Sequence, residues 1–184
     1  MSIDLNVYAK REVLTREMLA RECNSPDLPE EMRWEVVFLP SGPESPNPDL
    51  KGELTEDQQV AGWPITSKQA GEIRSAFLRN DRQTLDRLYE GGVYGQVDVF
   101  LATSGSDEWN VNDPDYLEGI PKEYQAVMGR ATCRYSLETH ARRNNLSLDL
   151  QQFLWRMIGA LTYGLLEDPQ EGGYEDRAED ESTA

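Results

Sequence analysis

Ile3-Asp4-Leu5-Asn6-Val7-Tyr8 is the stretch from which the fold can be read. Apolar and polar residues alternate in it. Successive side chains of a strand point to opposite faces, so the pattern predicts a first strand with one face buried. Working outward, Thr15 can cap a short helix carrying Met18 and Leu19, which the Asn24-Ser25-Pro26 break and Pro29 bring to an end. Trp34 to Leu39 (WEVVFL) is rich in β-branched and aromatic residues and stops at Pro40, as a second strand would. Residues 41–51 hold three prolines among Ser, Asn, Asp and Glu and read as an exposed loop.

Residues 59–63 suit a short strand before Pro64. Thr66 or Ser67 then opens a helix with Ala70, Ile73, Phe77 and Leu78 on one face. Leu85 and Leu88 extend the pattern into a second helical segment, which Gly91-Gly92 ends. Val97, Val99 and Leu101 alternate in a strand that finishes near Thr103. Residues 3–102 therefore read as β-α-β-β-α-β, the order of the split βαβ or ferredoxin-like plan. After a second acidic loop, residues 121–128 predict a short helix. Ala131, Cys133, Tyr135, Leu137 and Thr139 then alternate with Thr132, Arg134, Ser136, Glu138 and His140, a long strand with one wet face. Leu150, Phe153, Leu154, Met157, Ile158 and Leu161 recur at helical spacing and predict a helix over residues 147–163. The fold expected is α+β: an antiparallel sheet with helices packed on one face, ferredoxin-like with an extra strand and a C-terminal helix. Residues 1–166 form one domain in this reading, and residues 167–184 an acidic, disordered tail.

Charge narrows the function. Thirty-four acids against 18 bases give a net charge of −16. Residues 167–184 carry −7 of it, so the preceding chain remains acidic without them. Dense phosphates would be repelled, which argues against nucleic acid as a partner and for a basic protein. Cys23 and Cys133 are far apart in sequence, in no C-x-x-C pairing, and suggest neither a disulfide framework nor a zinc site. No basic and apolar leader is seen at Met1-Ser2-Ile3-Asp4, and no apolar run suits a membrane span, so a cytoplasmic protein without a membrane partner is expected.

Catalytic signatures are sparse. His140 is the single histidine, and no nucleophile elbow accompanies it. The acidic run from Asp107 to Asp115 lacks the glycine and the spacing of an EF-hand. Gly91-Gly92-Val93-Tyr94-Gly95 precedes a strand, without the lysine and following helix of a phosphate loop. No catalytic residue, cofactor or metal is assigned. What remains is surface: aromatic side chains among carboxylates, which suit recognition of a basic protein because the ring supplies contact area and the acids steer encounter. The candidate contacts are Trp63, Asp107, Glu108, Trp109, Asp113, Asp115 and Tyr116.

One resemblance points the same way. Ala131-Thr132-Cys133-Arg134-Tyr135-Ser136-Leu137-Glu138-Thr139, an amphipathic helix, and then Gly164-Leu165-Leu166-Glu167-Asp168-Pro169-Gln170 resemble small bacterial α+β proteins. Some of these resemble immunity proteins, which sit in the cytoplasm and neutralise a cognate secreted toxin by binding it. The resemblance implies an inhibitor that occludes a basic toxin or enzyme, with no catalytic residues and no binding positions to carry over. The alternative is a small-molecule hydrolase or transferase whose carboxylates or His140 meet only in the folded chain. A mimic of nucleic acid would instead need its acids in rows at phosphate-like spacing.

Overall fold

The computed structural model describes residues 3–10, 14–39, 57–106, 109 and 114–176. In chain order the elements are β1 (Ile3–Ala9), α1 (Arg16–Cys23), a 3-10 turn at Glu30–Met32, β2 (Trp34–Leu39), β3 (Asp57–Pro64), α2 (Ala70–Leu78) and α3 (Arg82–Glu90). There follow β4 (Gly95–Thr103), α4 (Pro114–Glu118), α5 (Lys122–Met128), β5 (Cys133–Thr139), α6 (Asn145–Thr162), β6 (Leu165–Asp168) and β7 (Gly173–Asp176). The seven strands form one antiparallel sheet in the order β2-β3-β4-β5-β1-β6-β7, an α+β fold. The βαββαβ succession is present along the chain, but its pairing is not ferredoxin-like. The split plan would set β1 beside β3; here β3 pairs with β4, and β1 lies between β5 and β6.

Strand parity divides the helices between the two faces. Val7, Val36, Phe38, Val60, Val97, Val99, Tyr135 and Leu137 point to one side, where α1 and α6 bury Leu19, Cys23, Leu150, Leu154 and Ile158 against them. The sheet admits α6 closely at glycines. A Cβ on Gly95 would stand 2.5 Å from the Leu146 carbonyl oxygen, and one on Gly159 2.4 Å from Leu166 Cδ2. Asn144 caps α6 through Ser147 N–H (2.9 Å) while its amide donates to the Tyr89 and Tyr94 carbonyls (2.9 and 2.8 Å), tying the helix start to the end of α3 and to the residue before β4.

The other helices stand on the opposite face, at two corners of it. α2 and α3 cover β2 and β3 with Ile73, Phe77 and Leu88 over Ala61 and Trp63. Leu78, one step round the helix from Phe77, is 71% exposed and takes no part. α4 and α5 cover the far ends of β4, β1 and β6, with Ile120 between the two helices and Val127 and Met128 of α5 over Tyr8, Ala102 and Leu165. Sequence pattern alone places all helices on one side because periodicity reports that a strand face is buried, not which neighbour buries it.

The C-terminal segment also differs from a disordered tail. Residues 165–176 form the β6–β7 hairpin on the edge of the sheet, turning at Gly172 with φ +67°. Leu165 and Leu166 anchor it, one on each face. Residues 177–184, and the proline-rich stretch at 40–56, lie outside the described residues. No helix among the described residues is long and apolar enough to cross a membrane.

Candidate functional site

Between the two helical corners a strip of the second sheet face carries polar side chains. Register fixes its composition. Asp98 on β4 stands opposite Glu138 on β5, and Glu138 opposite Asp4 on β1, so three carboxylates occupy one row across three adjacent strands. Adjacent strands lie about 4.8 Å apart, which spreads the row over about 10 Å. Gln59 extends it on β3 and donates to Asp98 Oδ1 at 3.0 Å. The next row holds Phe100, Ser136, Asn6 and Glu167. Among the described residues no buried apolar cluster includes any member of these rows.

The acid row is electrostatically loaded. Directly opposed like charges on neighbouring strands destabilise a sheet. Burial, followed by the carboxylates of Asp4 and Asp98, pushes the Glu138 carboxyl above its ordinary range, against the pull of His140 and Arg134. His140 Nε2 meets Asp98 Oδ2 just beyond the end of β5, with the imidazole 74% exposed and Asp98 14% exposed. Asp4 Oδ1 is buried without a hydrogen bond among the described residues.

Beside the acids runs a connected chain of hydrogen bonds. The Trp109 indole N–H donates to Tyr116 Oη (3.2 Å), Tyr116 to Tyr8 Oη (2.9 Å) and Tyr8 to Glu167 Oε2 (2.6 Å). Glu167 also accepts from the Asn6 amide (2.9 Å) and the Tyr174 hydroxyl (2.8 Å), while Ser136 donates to Asn6 Oδ1 (2.8 Å). Burial and then the Glu167 charge raise the Tyr8 phenol far above its ordinary value; burial and the bond to Glu167 raise Tyr174. Both phenols stay protonated and act as fixed donors. The network clamps the β6–β7 hairpin to β1 and α4.

This changes the reading of the aromatic candidates. Trp109 is 2% exposed, packed at 5.7 Å from the Tyr8 ring, and faces inward. Trp63 is fully buried, stacked on Phe77 at 5.9 Å beneath α2. Neither can meet a partner from the surface: each is a large apolar side chain close in sequence to acidic residues, and burial of its area outweighed the polarity of its neighbours. Tyr116 is half-buried in the Glu167 network and Asp115 is exposed on α4. Asp107, Glu108 and Asp113 lie outside the described residues.

No family model matches this chain, and neither does any curated protein or solved structure. What the residues can do follows from their placement. No three His, Cys, Asp or Glu side chains among the described residues are arranged to hold a metal ion. The sequence missed Asp4, Asp98 and Phe100 and set His140 aside; the signal for Glu138 was present in the wet face of β5.

Proposed function

We propose that the chain is a binding protein of the inhibitor or immunity type, which holds a basic protein partner against the Asp98–Glu138–Asp4 row. The observation that carries this is the row itself: like charges in register on three strands, with Glu138 held off its preferred ionisation. A lysine or arginine laid across the row relieves the repulsion, so the stability lost in the free chain returns as affinity. Phe100 supplies a half-buried aromatic beside the acids, the combination that recognition of a basic surface uses. The net charge of −16 steers such a partner towards the chain from a distance.

A second reading has one observation in its favour. A glutamic acid with a raised pKa beside Asp98 and His140 is the kind of group that donates a proton in a carboxylate-based hydrolase or transferase. The exposure of His140 and the breadth of the row favour binding over a water-excluded reaction.

Affinity capture separates the two. The tagged wild-type chain and an Asp4→Asn/Asp98→Asn/Glu138→Gln variant are used as baits at low and high salt. A stoichiometric basic protein that wild type holds, that salt releases and that the variant does not hold supports binding at the row. A partner held equally by both baits, or no partner, contradicts it.

A further inference from the structure

A concavity lies on the α6 side of the sheet, between that helix and the β6–β7 hairpin, with a volume of about 370 Å³. One wall is a single face of α6: Gln152, Trp155 and Arg156, spaced i, i+3, i+4. The Trp155 indole N–H donates to the Asn6 carbonyl at 2.8 Å, which fixes the ring against β1. Leu5, 3% exposed, contributes an apolar surface. The facing wall carries Asp168, Glu171 and Glu175. Asp168 Oδ1 accepts the backbone N–H groups of Gln170 and Glu171 (3.0 and 3.2 Å), which sets the turn that carries Glu171.

Among the described residues Arg156 makes no ion pair, although three carboxylates line the same space. A guanidinium on one wall and carboxylates on the other match a ligand that carries both signs. An anion alone would meet three acids, and an amine alone would leave Arg156 unused. We infer that this cleft binds a small zwitterion of the α-amino-acid class. Its carboxylate is taken by the Arg156 fork, its ammonium lies between Asp168 and Glu171, and its side chain rests on Trp155 and Leu5. The cleft is on the face opposite the acid row, so this site is independent of the protein partner proposed above.

The test is a titration of the full, isotopically labelled chain with the common L-amino acids and with the matching amines that lack the carboxylate, followed by NMR. At least one amino acid is expected to shift the Trp155 indole N–H and the amides of residues 172–175 saturably, with a dissociation constant below about 10 mM. Arg156→Gln is expected to weaken that amino acid about tenfold or more and to leave its amine unaffected, and Glu171→Gln to weaken both. Arg156 and Glu171 are exposed, so unchanged resonances elsewhere verify that each variant is folded. Saturation by none of the amino acids, equal binding in Arg156→Gln, or an amine that binds as tightly as its amino acid would each overturn the inference.

Discussion

The two faces of the sheet solve opposite problems. On the α6 face, Leu150, Leu154 and Ile158 pack without exposure on strands that offer Val7, Val97, Val99 and Leu137, with glycines where the helix comes closest. On the other face, rows of the same strands hold Asp4, Asn6, Asp98, Phe100, Ser136 and Glu138 between two helical corners. One face gains stability from apolar burial; the other gives some up by opposing like charges. A sheet that could have buried both sides keeps a polar strip on one of them.

Truncation breaks this comparison most strongly. Leu154→Ala, at a fully buried position, is expected to cost about 2–5 kcal/mol in urea denaturation. Phe100→Ala on the strip is expected to cost about 1–2 kcal/mol, because the ring is only half-buried. Equal costs would mean that the strip is a second core. Tyr8→Phe removes the 2.6 Å bond to Glu167 and the acceptor of Tyr116, with an expected loss of about 1–3 kcal/mol by the same assay. A loss below that range would mean that the network does not hold the hairpin.

The smallest effect concerns pH and sharpens the electrostatic side. Glu138 has its folded pKa raised above the unfolded value, so the folded chain binds that proton more tightly. Its contribution to stability is therefore present at low pH and is lost as pH rises through the raised value. Plotted against pH, the melting temperature of wild type relative to Glu138→Gln is expected to fall from acid towards neutral pH. A difference that rises over the same interval would reverse the sign assigned to the row.

Much of this architecture was legible locally. The alternation of residues 3–8 and 133–139 gave β1 and β5, and the 3.6-residue recurrence from Leu150 to Leu161 gave α6. The wet face of β5 already contained Glu138. What sequence could not provide is register: Asp4, Asp98 and Glu138 are 134 positions apart at the extremes and become neighbours only through strand pairing. Trp63 and Trp109 misled because acidic neighbours say nothing about which way an indole turns. The β6–β7 hairpin was hidden by its acid content, although Leu165-Leu166 and the Gly172-Gly173 turn between polar runs were its signature.

If the acid row is kept at a cost to the fold, removing its charges stabilises the chain. Thermal unfolding of Asp4→Asn/Asp98→Asn/Glu138→Gln beside wild type, at neutral pH and low salt, tests it most directly. The variant is expected to melt about 2–4 °C higher, equivalent to about 1 kcal/mol, with the gain shrinking as salt is added. A variant that melts at the same temperature or lower would show instead that the three carboxylates are part of what holds the sheet together.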